Sequence, residues 1–167
     1  MVEKHDLRTE DELGVSMTEQ WSVDAPGVIE LPSGRRFRGR GLRYDSPDGP
    51  TPTFAVHLTD KPTAEPQWER VWVRWRDFWL PADPDEALRA LRQAYDRAES
   101  DRVEIACGGG IGRTGTGLAT LCVFEGMAPD EAVNWVRRHY HRRAVEVRWQ
   151  RRFLRHAFSA AVDPTDR

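Results

Sequence analysis

The chain has 167 residues, of which 39% are hydrophobic, 31% charged and 10% aromatic, a globular composition with material for one core and too little for two. A formal net charge of −2 excludes bulk attraction to nucleic acid or to an anionic membrane, and two cysteines make neither a disulfide framework nor a zinc spacing. No run approaches the roughly 18 apolar residues of a membrane span, so a monomeric protein in a reducing cytoplasm is expected.

Residues 1–20 are highly charged and almost without large apolar side chains, which predicts a disordered tail ahead of a single domain over 21–162. From Trp21 the character changes. "GVIEL" and "RRFRG" flank "PSG" and read as a hairpin; "TFAVHLT" (53–59) and "RVWVRW" (70–75) read as further strands between Pro-rich loops. Arg35, Arg36, Arg38, Arg40 and Arg43 either flank a site or solubilise an edge strand. Helical periods then take over. Asp83 precedes Pro84, Asp85 and Glu86, and the spacing of Leu88, Leu91, Ala94, Tyr95 and Ala98 predicts a helix over 84–99. "RVEIAC" reads as a buried strand and "RTGTGLATLCVFE" as a helix ended by Gly126. Two more helices are expected, from Pro129 to His139 and over 146–160. The order predicts an α/β fold, a central mixed sheet flanked by helices.

The stretch "VEIACGGGIGRTGTGLAT" carries the chemistry. A strand, a turn of Gly108, Gly109, Gly110, Ile111 and Gly112, and a helix beginning at Arg113 direct several backbone N–H groups and a helix N-terminus into one space, a cradle for an anion. A P-loop would need lysine after Gly112, where Arg113 stands. A dinucleotide turn is matched by Gly110, Gly112 and Gly115 but lacks the following strand and acidic ribose ligand. Neither accounts for Cys107. A thiol over an anion cradle is favoured as thiolate and becomes a nucleophile, and an arginine returning to the loop can grip two phosphate oxygens at once.

Cys107, five residues, Arg113 and Thr114 resemble the signature of the cysteine-dependent protein tyrosine phosphatase superfamily, which includes dual-specificity enzymes. Some thirty residues upstream, "WRDFWLP" is similar to the family's mobile acid loop, with Trp75, Asp77 and Pro81 in register. "RYD" at 43–45 reads first as a surface Arg-Tyr before a turn and also resembles the family's phosphotyrosine-stacking loop, and "AVEVRWQRRFL" at 144–154 is loosely similar to its C-terminal helix. The resemblance implies a phosphatase acting on phosphorylated protein or peptide, on phosphotyrosine and with phosphoserine or phosphothreonine as further substrates, without metal or other cofactor. It casts Cys107 as the nucleophile that becomes a phosphocysteine, and Asp77 as acid and then base. Arg113 and the amides of residues 108–112 hold the phosphoryl oxygens, and the Thr114 hydroxyl assists the sulfur. Cys122 shares a helix face with Leu118 and Leu121 and reads as core. Three departures stand out: Ala106 where the family places His, and Arg76 and Trp79 where its acid loop has Pro and Gly. They set an alternative beside the enzyme, a phosphate-binding module of weak or no turnover.

Overall fold

The computed structural model describes residues 20–162. The tail expected over 1–20 lies outside them apart from Gln20, whose amide donates to the carbonyls of Ala98 and Glu99, each at 2.9 Å. The strands are β1 (Val28–Glu30), β2 (Arg36–Gly41), β3 (Phe54–Thr59), β4 (Glu69–Arg74) and β5 (Val103–Cys107). The helices are α1 (Pro84–Arg97), α2 (Gly112–Phe124), α3 (Pro129–His139) and α4 (Arg148–Val162). The strands form one sheet in the order β1-β2-β5-β3-β4, antiparallel only between β1 and β2. The expected mixed α/β architecture is what forms.

Local signals account for the helix limits. The Asp83 carboxylate accepts the amides of Asp85 and Glu86, both at 3.0 Å, which caps α1 as its spacing predicts. Gly126 takes a left-handed φ of 95° and stops the chain after α2. α4 starts two residues later than expected, because the Gln150 side chain accepts the amides of Glu146 (2.6 Å) and Val147 (3.3 Å) ahead of the first turn.

α2 is buried from Gly112 to Val123, the signature of a central helix. Its interior hydroxyls find partners within the helix: Thr116 donates to Gly112 O (2.7 Å) and Thr120 to Thr116 O (2.8 Å). A side chain on Gly117 would meet Ile105 of β5, Leu58 of β3 and Leu91 of α1, so both helices close on the same sheet face between those strands. That face is apolar, with Phe54, Val56, Leu58, Val103 and Ile105 fully buried.

Of the two readings of the arginine set, the edge strand does not hold: β1 and β4 are the edges and β2 lies inside the sheet, while Arg43, after β2, lines a cleft beside Cys107. Arg38 and Glu104 are both buried and paired, with two bonds at 2.9 and 2.6 Å, and Arg40 joins the same carboxylate at 3.1 Å. Trp21 lies against Arg38, 4.1 Å from ring centre to guanidinium carbon, and its indole donates to Val103 O at 2.8 Å. The buried charge is thus both paired and hydrogen-bonded, which is what its desolvation requires.

Candidate active site

The anion cradle forms where β5 ends, in the middle of the sheet. β2 and β3 pair with β5 on either side, so Cys107 leaves the strand from a position that cannot splay. The chain after β2 continues the clamp: Leu42 N–H donates to Cys107 O (2.8 Å) and Arg43 N–H to Gly108 O (3.1 Å). Gly110 takes φ 72°, and a Cβ there would fall 2.5 Å from the backbone nitrogen of Gly41, so only glycine lets the loop pass β2 this closely. The turn sets the Gly110 amide 3.2 Å from the Cys107 sulfur, which accepts it. The Gly110 carbonyl is held from behind by the Tyr140 hydroxyl at 2.5 Å. Burial, followed by the nearness of Cys107 and Glu104, pushes the Tyr140 phenol upward, which keeps it a donor.

Arg113 joins this cradle to the loop 75–81. The residue is 6% exposed; its guanidinium donates from Nη1 to Trp75 O at 2.8 Å and sets Nε 3.3 Å from Asp77 Oδ1, near enough for an ion pair but not aligned as a hydrogen bond. The loop is folded on itself. Trp75 bridges Pro81, its indole donates to Trp79 O (2.8 Å), and Trp79 N–H donates to Arg76 O (3.2 Å). Phe78 takes the left-handed conformation at φ 57°, and its amide donates to Asp77 Oδ1 at 3.1 Å. Because the positive φ falls at Phe78, the absence of glycine at Trp79 carries no backbone penalty. Trp79 packs on Trp149 of α4 instead, with ring centres 5.7 Å apart.

Cys107, Asp77, Arg113 and Glu146 line one cleft of about 160 Å³, with Arg43, Tyr44 and Phe78 at its walls. Pockets for whole drug-sized ligands run to roughly 300–1,000 Å³. This one suits a phosphoryl group and the start of its ester, not a dinucleotide. The two aromatic walls are more than half exposed, Tyr44 at 63% and Phe78 at 54%.

Three of the expected residues, Cys107, Arg113 and Asp77, therefore meet, together with Gly109, Ile111 and Gly112 of the loop. Thr114 is buried one turn along, and its hydroxyl donates to Arg40 O at 3.4 Å. Ala106 pairs across the sheet with His57, a histidine next to the residue before Cys107 though distant in sequence. Its Nδ1 lies 2.8 Å from Thr63 Oγ1, and burial, then Arg70 and Arg40, lowers its pKa to about 4, so the ring carries no positive charge near neutrality. Cys122 is fully buried in the core as expected, its thiol pushed up to about 12 by burial and then by Glu125. Glu146 is a cleft residue the sequence reading does not single out for chemistry, its only signal being its place in the stretch 144–154, whereas Arg43 belongs to the arginine set read as flanking a site.

Residues 66–165 match a family model described as PTP-SAK, the DSP-PTPase phosphatase domain of Swiss Army Knife proteins. No curated protein matches the chain. Among solved structures it is similar to Tk-PTP in the active form, at 24% identity and a TM-score of 0.61, over 80% of this chain and 97% of that one. It is also similar to a glycine-to-alanine mutant form of Tk-PTP, at 23% identity and a TM-score of 0.60, over 80% and 95% of the two chains. These structural likenesses concern the fold.

Proposed function

The chain belongs to the DSP-PTPase phosphatase domain family of Swiss Army Knife proteins, and from that premise we propose that it hydrolyses phosphate monoesters on protein through a phosphocysteine. The observation that carries the reading is the meeting of three groups from two distant segments, the loop 107–113 and the loop 75–81, in one small cleft. The Cys107 sulfur accepts a cradle amide, Arg113 spans to the acid loop, and Asp77 stands 3.3 Å from that arginine. The phosphoryl group would sit on the amides of Gly108 to Gly112 with Arg113 gripping its equatorial oxygens, donors fixed in advance where charge spreads during transfer. Cys107 attacks phosphorus, and Asp77 protonates the departing ester oxygen. Water then attacks the phosphocysteine, a carboxylate of the cleft taking its proton. The exposed rings of Tyr44 and Phe78 at the cleft walls favour an aryl ester, which supports phosphotyrosine as the first substrate, ahead of phosphoserine and phosphothreonine.

Release of p-nitrophenol from p-nitrophenyl phosphate in the presence of EDTA tests this. Turnover should vanish in Cys107→Ser and fall on the order of 10² to 10⁴ in Asp77→Asn. A folded wild type that binds vanadate yet releases nothing would refute the enzyme and leave a binding module, the reading to which Ala106 and the uncharged His57 beside it lend support.

A further inference from the structure

The cleft holds two carboxylates, and the first transfer step uses only Asp77. Glu146, the second, has a side chain 18% exposed, 3.8 Å from Arg143. Its carboxylate lies directly over Gly112, where a Cβ would collide with it. The backbone that brings it there is strained. Val145 is β-branched and fully buried, and it takes φ 60°, a region such residues almost never adopt. Among the described residues the non-glycine positions with positive φ are Phe78 and Val145, and each adjoins one of the two cleft carboxylates.

Three contacts hold the strained turn. Arg137 of α3 donates from Nε to Ala144 O (2.9 Å) and from Nη2 to Val145 O (3.0 Å), a fork across two successive carbonyls. Gln150 Oε1 gathers the Glu146 and Val147 amides from the other side. Gly115 lets α2 approach Ala144, since a Cβ there would lie 2.6 Å from that methyl. Gln150 is itself fully buried. Its Nε2 has no hydrogen-bond partner and lies 3.0 Å from the position of a Gly112 Cβ, on the spot the Glu146 carboxylate also reaches. An acceptor beside an unspent donor, in a polar cleft, is what a bound water needs.

We propose that Glu146 is the carboxylate that takes the proton of the hydrolytic water, set in the cleft by the strained Ala144–Val147 turn that Arg137 clamps. The proposal rests on the phosphatase reading and divides its chemistry between two acids, Asp77 for the leaving group and Glu146 for the water. The water oxygen bonds to phosphorus while its proton passes to Glu146. The phosphorus–sulfur bond breaks, and its electron pair returns to Cys107 as thiolate. Hydrogen phosphate leaves, and Glu146 gives the proton to solvent. Arg137 touches neither substrate nor water and is a positioning residue.

Rapid-mixing kinetics with p-nitrophenyl phosphate separate the two steps. Glu146→Gln keeps shape and loses the base. It should release a burst of about one equivalent of p-nitrophenol and then turn over on the order of 10² more slowly, with kcat/KM within about twofold of wild type, because that ratio reports only steps through phosphocysteine formation. Arg137→Ala should show the same split with a smaller fall in kcat, and Arg137→Lys should not restore it, since an ammonium cannot fork across two carbonyls. A parallel fall of kcat and kcat/KM in Glu146→Gln, or no change in either, would overturn the proposal in an active enzyme. A wild type without turnover would overturn the phosphatase reading itself, and this with it.

Discussion

His57 should make the fold acid-sensitive, and the size of the effect follows from its surroundings. The ring is 3% exposed, bonded through Nδ1 to Thr63 and unpartnered at Nε2, with Arg70 and Arg40 nearby. Burial penalises the protonated ring, and the nearby Arg70 and Arg40 guanidinium groups repel it, which is why the folded pKa falls from 6.5 to about 4. The unfolded chain therefore binds this proton first as pH drops. The contribution is fully present above about pH 6.5 and is lost as pH falls toward 4, about 3 kcal/mol in all. Between pH 7 and 5 the loss is about 2 kcal/mol, a large share of the 5–15 kcal/mol that holds a typical domain. Urea unfolding followed by tryptophan fluorescence at the two pH values, on wild type and His57→Gln, isolates it. The variant keeps a donor for Thr63 and cannot titrate, so its stability should fall by about 2 kcal/mol less than that of wild type over this range. Equal losses in the two proteins would refute the argument.

Other outcomes follow from the cradle and from the second cysteine. Gly110→Ala should destabilise the fold by roughly 2–3 kcal/mol, because a left-handed φ and a Cβ 2.5 Å from Gly41 N add together, and phosphatase activity should fall further than stability as the amide moves off the sulfur. A urea midpoint unchanged from wild type would show that the loop has room the geometry denies. Iodoacetamide near pH 7 should label the folded chain once, at Cys107, since Cys122 is buried and its thiol titrates only at about 12; vanadate should block the label. Mass spectrometry of the tryptic peptides reads this directly, and labelling of Cys122 at a comparable rate would contradict its place in the core.

Much of the protein is determined by its sequence over short distances. Asp83 caps α1 because its carboxylate reaches amides two and three residues on, and the bounds of α3 follow from Pro129 and the basic last turn. The run from Cys107 to Arg113 specifies its own strand, turn and helix, since the positive φ that glycine permits at Gly110 brings that residue's amide onto the sulfur. Such features depend on residues within a few positions of one another, and chain geometry alone decides them. What the tertiary structure decided depends on segments meeting from far apart. Strand order placed β2 inside the sheet and set its Arg38 in a buried pair with Glu104, 66 residues away. Pairing of β3 with β5 put His57 beside Ala106, the residue before Cys107. The clamp of α3 on the chain before α4 carried Glu146, which periodicity assigns to a helix, into the cleft with Cys107. A period shows which face of an element is apolar, whereas the partner of that face, and the strain a packed neighbour can hold, are set only when the layers close on one another.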